Sequence, residues 1–540
     1  MKPIFLFPVF LLFFFAGSLQ SQETVMVRLH LKDKGNPPFS ITNPEEFLSQ
    51  KSIERRERQG FPVDSFDLPL DPAYIDAISE TGATVGTYSK WVKTVLVHLT
   101  DMEILSKLEN LPFVDSLYCV WKGTLPQKTW RQTDVPLKPD FRQSNINSYG
   151  AGFTQIALNN GHLLHDAGFR GKGMAIAVLD VGFINADKIS YFNQERIKEI
   201  KNFNHESSDI LREGSDHGTR VLSCMLSDTP GEMTGTAPEA DYYLFRTEVI
   251  GDEFPVEEDY WIAGLEYADS LGVDIVTSSL GYSVFTDPSM NHTHEQLDGQ
   301  TIPISRAANL AASRGILLFS SAGNEGDKNW TKITFPADAE NIITVGSIDK
   351  DSNRSRFSSV GLTADERIKP DLMAMGTQTS IVESSGNVVQ GNGTSFSTPI
   401  LAGLAACLWE ALPDLNSFDL LDLLRETGSQ YQNPDPLMGY GIADVYKAYL
   451  RQQTGMRPAT GFSEQVFLSI NPQDNRLYIN LYSPAQYDRC VLNIYTALGI
   501  RILTIVDMSD SIDISSLPKG VYIARLRIGD QQWVRKFIKK

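Results

Sequence analysis

The stretch Met174-Ala175-Ile176-Ala177-Val178-Leu179 decides the fold, and the carboxylate of Asp180 follows it directly. Six apolar residues with no polar residue between them are typical of a strand that is buried on both faces of a parallel sheet. Four more short apolar runs follow along the chain, at residues 242–245, 273–276, 316–319 and 342–345.

Helical patterns lie between these apolar runs. They cover residues 257–271 and 303–313, and each is followed by a glycine, Gly272 or Gly315, as is typical of helix ends. Strands that alternate with helices predict an α/β fold, a doubly wound parallel sheet that binds its ligands at the carboxyl ends of the strands. We place this central module at residues 149–451.

The overall composition is ordinary for folded domains, since 42% of the 540 residues are hydrophobic and 21% are charged. A chain of this length exceeds what one hydrophobic core holds, so we expect several domains. The formal net charge of -18 repels phosphate backbones and anionic lipids. Nucleic-acid partners and passive binding to membrane surfaces are therefore excluded as first hypotheses.

The N-terminus has the layout of a secretory signal peptide, which we place at residues 1–22. Lys2 precedes an apolar run over residues 4–16, and small and polar residues follow it. A membrane span needs about 20 apolar residues, and this run is shorter. The sequence therefore predicts an exported protein.

An N-terminal module, the predicted small α+β domain, follows the signal peptide and ends near residue 122. Alternating apolar residues at 25–31 and 95–99 predict half-buried strands, and a third strand is predicted over residues 114–120. Helices are predicted over residues 72–81 and after a capping box formed by Thr100 and Glu103. A polar linker extends this region to residue 148, and we expect the chain to be cleaved there.

The C-terminal module follows a linker at residues 452–462 and covers residues 463–540. Its apolar residues alternate with polar ones and it contains no convincing helix, which predicts a small β-sandwich. The four cysteines are few and scattered, so we expect free, buried thiols rather than disulfides, with a bridge between Cys224 and Cys407 as the less favoured alternative.

Three reactive side chains of the central module lie at boundaries of predicted elements. Asp180 ends a strand, His217 enters a helix and Ser395 precedes one. A serine hydroxyl needs a nearby base with a pKa near neutrality to act as a nucleophile, and a carboxylate fixes the orientation of that histidine. Each residue also has an ordinary explanation, as a turn cap, a helix-start histidine and an N-cap respectively.

A fourth segment supplies an amide donor beside this group. In Ser321-Ala322-Gly323-Asn324-Glu325-Gly326 the asparagine lies between glycines just after an apolar strand. An amide of this kind stabilises an oxyanion in a transition state, and removing one costs about 3 to 4 kcal/mol. A simple turn does not require an amide donor of this kind.

Residues 149–448 resemble the catalytic domain of subtilases, because the motifs of that family occur in the family's order. The motifs are Val178-Leu179-Asp180, His217-Gly218-Thr219, Gly235-Thr236-Ala237-Pro238, Ser279-Leu280-Gly281, Ala322-Gly323-Asn324, Lys369-Pro370-Asp371 and Gly393-Thr394-Ser395. The chain order Asp, His, Ser is also that of subtilisin and differs from the orders in chymotrypsin and in α/β-hydrolases, which excludes an esterase of the latter kind.

The resemblance implies a secreted serine endopeptidase that works through an acyl-enzyme. Asp180, His217 and Ser395 would be the catalytic triad, and Asn324 with the N–H of Ser395 the oxyanion hole. The substrate-binding residues would be Ser279, Leu280, Gly281, Ala322 and Gly323. The chain departs from the family pattern at Val181, where serine or threonine is common, and at Met375, where proline is usual.

The flanking modules resemble known companions of subtilases. The N-terminal module is similar in pattern to propeptides that act as folding chaperones and inhibitors. The C-terminal module resembles the type A sorting domain of type IX secretion. The resemblance rests on a basic terminus and on the motifs Ile470-Asn471-Pro472 and Leu517-Pro518-Lys519-Gly520-Val521-Tyr522. This implies a Gram-negative bacterium, passage through the periplasm and outer membrane, and a secreted or cell-surface protein; a β-domain that binds carbohydrate is the alternative.

The expected partners are protein or peptide substrates, the type IX secretion machinery and the protein's own propeptide as inhibitor, with the chain itself a monomer. We expect no metal site and no cofactor, because no acidic loop has EF-hand spacing, although calcium binding stays open. The alternative function is that of a catalytically silent surface-binding protein that keeps the subtilase fold.

Overall fold

The structure is a computed structural model. The predicted signal peptide and nearly all of the two predicted linkers lie outside the residues that it describes. The described residues are 24–123, 148–204, 209–249, 251–453, 466–471, 476–481, 490–496, 501–506, 511–528 and 531–539.

The N-terminal module is an antiparallel four-stranded sheet with helices, in the strand order β2-β3-β1-β4. Alternate residues of β1 and β3 meet apolar side chains of α2 and α3 in one core. The predicted helix over 72–81 and the predicted strands are confirmed. The elements are β1 (Thr24–Leu31), α1 (Gln50–Gln59), α2 (Pro72–Glu80), β2 (Thr84–Ser89), β3 (Thr94–Leu99), α3 (Glu103–Glu109) and β4 (Val114–Gly123).

Two details of this module differ from the sequence prediction. The predicted capping box at Thr100 is wrong, because Asp101 accepts the N–H of Glu103 at 2.9 Å and α3 begins only there. Helix α1 was not predicted, since Ile53 is its one apolar residue and it therefore has no apolar stripe. Its ends carry ordinary signals: Ser49 accepts the N–H of Ser52, and Gly60 adopts a left-handed conformation at φ 77°.

The central module contains the predicted parallel sheet. It has seven strands in the order β13-β12-β11-β10-β5-β9-β6, and every neighbouring pair is parallel. The strands are β5 (Ala175–Asp180), β6 (Ile197–Asn202), β9 (Asp241–Arg246), β10 (Ile275–Ser278), β11 (Leu317–Ser321), β12 (Ile343–Ile348) and β13 (Leu372–Met375), and short hairpins are formed by β7 (Asp228–Thr229) with β8 (Met233–Thr234) and by β14 (Thr379–Val382) with β15 (Val388–Gly391).

Helices cover both faces of this sheet, which confirms the doubly wound α/β fold. Ile176 and Val178 of β5 pack into the core that contains the helix of Ser395, whereas Ala177 and Leu179 pack into the core on the opposite face. The helices are α4 (Phe153–Ala157), α5 (Gly161–Asp166), α6 (His217–Leu226), α7 (Val256–Leu271), α8 (Pro303–Ala312), α9 (Thr394–Ala411), α10 (Ser417–Glu426) and α11 (Val445–Gln453).

The sheet of the N-terminal module packs against α7. Met26 and Trp121 meet Phe254 and Tyr260 in an apolar contact, and Arg28 reaches the first turn of the helix. That first turn is acidic, with Glu257, Glu258 and Asp259 in succession.

The C-terminal module consists of two antiparallel sheets, as expected for a β-sandwich, in the orders β16-β17-β20 and β19-β18-β21-β22. Its described residues contain no helix. The strands are β16 (Val466–Asn471), β17 (Arg476–Leu481), β18 (Cys490–Thr496), β19 (Arg501–Val506), β20 (Ser511–Asp513), β21 (Gly520–Ile528) and β22 (Gln531–Lys539).

The prediction of free, buried thiols is confirmed for two of the three cysteines whose side chains the structure describes, and the side chain of Cys490 lies outside the described part. Cys224 and Cys407 are free and buried, so they form no bridge. Cys119 is also free but exposed, and the expectation of a buried thiol is wrong there, because its side chain lies on β4 at the surface.

Candidate active site

The candidate site lies at the carboxyl ends of three adjacent parallel strands, β11, β10 and β5. Asp180 ends β5, Ser279 follows the end of β10, and Ala322 follows the end of β11. Ends of neighbouring parallel strands meet at one edge of the sheet, which explains why residues far apart in sequence come together here.

Asp180 is fully buried, and one of its oxygens contacts His217. Its Oδ1 lies 2.7 Å from Nδ1 of the histidine and accepts the N–H of Val181 at 2.8 Å. Its Oδ2 is buried and has no hydrogen-bond partner within the described part of the chain. The departure from the family pattern at Val181 removes a hydroxyl next to this carboxylate.

His217 begins α6, and 31% of its side chain is exposed. Gly218 lets the chain approach closely at this point, because a Cβ there would lie 2.5 Å from the carbonyl oxygen of Gly182. Burial alone would lower the pKa of His217, but the Asp180 carboxylate raises it above its ordinary value. Since Nδ1 faces the carboxylate, Nε2 is the atom left to exchange a proton with a reacting group.

Ser395 lies in the first turn of α9, after Gly393, whose φ of 152° favours glycine. Its hydroxyl donates to the carbonyl oxygen of Ser279 at 3.3 Å, and the Ser279 hydroxyl donates back to the Ser395 carbonyl at 2.8 Å. No hydrogen bond between Ser395 and His217 occurs among the residues described, although the ring of Phe396 lies 6.1 Å from that of the histidine. Such bonds are often long in a site without substrate.

Asn324 uses its amide oxygen as an acceptor and keeps its amide nitrogen as a donor. Its Oδ1 accepts the N–H of Thr394 at 2.9 Å and the Thr394 hydroxyl at 3.1 Å, which fixes which end of the amide is the acceptor. Nδ2 therefore remains as a donor, on the side of Gly393 and Ser395. This is the orientation that an oxyanion donor requires.

The five predicted substrate-binding residues lie on two segments near Ser395. Ser279, Leu280 and Gly281 continue past the end of β10, while Ala322 and Gly323 continue past β11. The two segments are joined where the hydroxyl of Ser321 donates to the carbonyl oxygen of Leu280 at 3.2 Å.

A group of carboxylates beyond β9 was not predicted from the sequence. Oxygens of Glu248, Glu253 and Glu257 lie within 4.8 Å of one another. Burial raises the pKa of Glu248 to about 8 and that of Glu253 to about 7. The hydroxyl of Tyr282 donates to Glu248, and the N–H of Val249 donates to Glu257 at 2.8 Å.

The sequence pattern of the Subtilase family matches residues 171–441, which is half of the chain. The chain belongs to the subtilase family. The peptidase S8 propeptide domain of Bacteroidota matches residues 26–135 of this subtilase, and the secretion system C-terminal sorting domain matches residues 471–540. The predicted family and the predicted nature of both flanking modules are confirmed.

Known proteases are similar to the subtilase at modest identity. It is 29% identical over 286 residues to the M-protease of Shouchella clausii, a match that covers 53% of this chain and 66% of that protein. The identity to subtilisin BL of Lederbergia lenta is also 29%, and 93% of that protein is covered. The crystal structure of MycP1 from Mycobacterium smegmatis is similar with a TM-score of 0.46 and 18% identity, over 62% of this chain and 92% of that one.

The subtilase is therefore a subtilisin-like serine protease with a propeptide. Its sorting domain marks it for export to the cell surface or for secretion, as predicted. Among the described helices, none combines the length and the apolar character that crossing a membrane requires.

Proposed function

We propose that the subtilase hydrolyses peptide bonds through an acyl-enzyme, with Ser395 as nucleophile, His217 as general base and Asp180 as the residue that orients the base. The observation that carries this proposal is the 2.7 Å contact between Asp180 Oδ1 and His217 Nδ1. Asp180 ends β5, and the neighbouring strand β10 is followed by Ser279, whose carbonyl oxygen accepts the hydroxyl of Ser395. A carboxylate in this position fixes the tautomer that leaves Nε2 free to take the serine proton.

The first chemical step is attack of Ser395 Oγ on the substrate carbonyl carbon, while Nε2 of His217 accepts the hydroxyl proton. The imidazolium that forms is stabilised by the buried carboxylate of Asp180. Nδ2 of Asn324 and the N–H of Ser395 donate to the oxygen that becomes negative. The histidine then gives its proton to the leaving amine, and water hydrolyses the acyl-enzyme.

The substrate is held by the backbone beside the nucleophile. Residues 279–281 extend beyond the sheet next to Ser395, and the segment of Ala322 and Gly323 lies opposite. We assign these residues to the binding of an extended peptide on the acyl side of the bond that is cut. The substrates are proteins or peptides outside the cell, which agrees with the sorting domain.

Replacing the nucleophile tests the proposal. Ser395→Ala should lower kcat for peptide hydrolysis on the order of 10⁶-fold, abolish labelling by a fluorophosphonate, and prevent loss of the N-terminal module if maturation is autocatalytic. The matched control is Ser397→Ala, two residues along the same helix, where the hydroxyl only donates to the carbonyl of Thr394 at 3.0 Å. Retained hydrolysis in Ser395→Ala would show that the assignment is wrong.

The alternative function, a catalytically silent binding protein, predicts a different result in the same assay. The processed wild-type chain would then take up no fluorophosphonate, although it stays folded. Asn324→Ala adds a graded test, because loss of an oxyanion donor lowers kcat about 10²- to 10³-fold without preventing labelling.

A further inference from the structure

The residue before the proposed general base contacts a hairpin on another part of the chain. Asp216 is the N-cap residue of α6, and its Oδ2 accepts both the N–H and the hydroxyl of Ser384, at 3.1 and 3.0 Å. Its Oδ1 accepts Nε of Arg220 at 2.9 Å, one helical turn further along α6. Both oxygens of the carboxylate are therefore held, and one of them binds the segment between β14 and β15.

Two further hydrogen bonds fix the tip of this hairpin. Asn185 donates from Nδ2 to the carbonyl oxygen of Ser384 at 3.1 Å, and the Ser223 hydroxyl accepts the N–H of Val382 at 2.8 Å. Asn185 lies in the segment that follows β5, whereas Ser223 belongs to α6. The tip is thus anchored both to the segment after β5 and to the helix that His217 begins.

The other end of the hairpin leads directly into the nucleophile. β15 ends at Gly391, and Ser395 lies four residues further along the chain. A Cβ placed on Gly391 would lie 2.6 Å from the ring of Phe396, so the strand packs directly against the first turn of α9. At the base of the hairpin, the side chain of Asn392 accepts the N–H of Gln378 at 2.8 Å. These contacts fix the position of the hairpin relative to Ser395.

The hairpin therefore connects the two residues between which the proton of the reaction would move. His217 and Ser395 lie in the first turns of two different helices, α6 and α9. Apolar side chains of both helices share one core, which holds the helices together. Apolar contacts are not directional, whereas hydrogen bonds are, so the bonds of the hairpin fix where α6 begins.

We propose that Asp216 is a positioning residue, which keeps His217 in register with Ser395 by anchoring the hairpin of β14 and β15 to the start of α6. This inference rests on the proposed function. A carboxylate suits the task, because charge-assisted hydrogen bonds are stronger than neutral ones and one carboxylate accepts several donors. The helix dipole favours a negative charge at the start of α6, which stabilises the ionised form.

Asp216 also acts on the general base through its charge. Burial lowers the pKa of His217 and Arg220 lowers it further, whereas Asp180 and, to a smaller extent, Asp216 raise it. On the hairpin, Glu383 lies 3.6 Å from Arg220. Removing the charge of Asp216 should therefore lower the pKa of the histidine, an effect that a purely structural residue would not produce.

The test measures the pH profile of peptide hydrolysis by the processed enzyme obtained from the full chain. Asp216→Ala should lower kcat about 10- to 100-fold with KM nearly unchanged, because misplacing the reacting groups by about 1 Å has such an effect. Asp216→Asn keeps the shape and an acceptor oxygen, so it should recover most of kcat. Both variants should move the acidic limb of kcat/KM down by about 0.5 pH unit, because the histidine loses a neighbouring negative charge.

Ser384 provides the second half of the test, because the anchor needs both partners. Ser384→Ala removes one of the two donors to Asp216 and should lower kcat by less than Asp216→Ala does. In the double variant the two losses should not add, since both changes break the same contact. The matched control is Ser385→Ala, which removes a neighbouring hydroxyl that donates to Glu383 instead, and it should keep the wild-type kcat.

An unchanged kcat and an unchanged acidic limb in Asp216→Ala would overturn the inference, and so would losses that add in the double variant. A higher KM at constant kcat would also overturn it, because Asp216 would then act on substrate binding. Any of these results in an enzyme that Ser395→Ala inactivates leaves the proposed function intact. Absence of fluorophosphonate labelling in the wild type would remove both.

Discussion

The two faces of the N-terminal sheet are built from different chemistry. On one face, Val27 and Leu29 pack with aliphatic side chains of α2 and α3. On the other face, Met26 packs with apolar side chains of the central module, among them Phe254 and Tyr260. On this face Arg28 is buried against carboxylates of α7. Residues that alternate along one strand thus divide between a core that folds the module and an interface that docks it.

The surface of the N-terminal module that docks onto the central module, formed by the sheet and by α1, contains buried ion pairs in which both oxygens of a carboxylate are bound. Arg28 donates from Nε and Nη2 to the two oxygens of Asp259, at 2.7 and 2.8 Å, and from Nη2 to Glu258 at 3.1 Å. On α1, Arg55 and Arg56 each hold one oxygen of Asp269, at 2.5 and 2.7 Å.

The difference between the faces separates folding from recognition. Apolar contacts stabilise in proportion to the area buried and with little regard to the partner. A buried ion pair gains little net free energy over an apolar pair, but it becomes strongly unfavourable when one partner is absent or misplaced. The apolar face therefore folds the N-terminal module, and the charged face makes the docking specific for its own central module.

The largest effect is expected from breaking the charged face. Arg28→Met leaves Glu258 and Asp259 buried without a guanidinium, which should weaken docking by about 3 to 5 kcal/mol. Urea unfolding of the Ser395→Ala precursor, which retains the module, measures this loss. A wild-type unfolding curve would contradict the assignment of specificity to this face.

A core substitution on the apolar face should have a comparable or slightly smaller effect. Leu29→Ala removes a fully buried side chain and leaves a cavity, which costs about 2 to 5 kcal/mol. We expect faster proteolysis of the N-terminal module in the same precursor, whereas the central module stays resistant. Equal loss of both modules would show that they fold as one unit.

Acid should separate catalysis from docking. Burial lowers the pKa of His217, but Asp180 raises it above 6.5, so the basic form needed for catalysis is lost as the pH falls through that raised pKa. Burial raises the pKa of Asp269, but Arg56 and Arg55 hold it below its ordinary 3.8. A carboxylate with a lowered pKa stabilises at pH values above its unfolded pKa and loses this contribution only as the pH falls through the folded one.

At about pH 5 the enzyme should therefore be nearly inactive while the ion pairs at Asp269 persist. The pH profile of kcat/KM for the processed enzyme, and hydrogen exchange of α1 in the Ser395→Ala precursor, measure the two processes. Undocking of α1 already between about pH 6 and 5 would contradict this separation.

The smallest effect is expected for an exposed pair at the edge of the same interface. Arg58 lies 3.0 Å from Asp274, but 48% of its side chain is exposed, so Arg58→Met should cost less than about 1 kcal/mol. This variant is the matched control for Arg28→Met. A similar loss for both would mean that burial does not decide the strength of these pairs.

The sequence predicted the central sheet well, because strands buried on both faces appear as apolar runs. Two strands escaped prediction for physical reasons. Residues 197–202 form the edge strand β6, which has one neighbour and therefore keeps polar residues, and residues 372–375 are only a four-residue run. Helix α1 escaped because its buried contacts are charged rather than apolar.

The residues of the candidate site were predictable from the sequence only where they belong to a motif of the family. The contact of Asp180 with His217 and the orientation of Asn324 agree with the roles that the motifs imply, and these roles are tested by the experiments above. The group of Glu248, Glu253 and Glu257 belongs to no motif, because it forms only where the segment after β9 meets the start of α7. Sequence spacing alone does not show that oxygens of these three side chains lie within 4.8 Å of one another.

The acidic first turn of α7 also affects the protein after the N-terminal module has gone. Removal of that module takes Arg28 away and exposes Glu258 and Asp259 to water. Carboxylates at a helix N-terminus are stabilised by the helix dipole, by about 0.3 to 1 kcal/mol each. Glu258 also contacts Nε2 of His292 within the central module, so one of the two carboxylates keeps a partner when Arg28 leaves. The former docking site then becomes an acidic surface of the released enzyme.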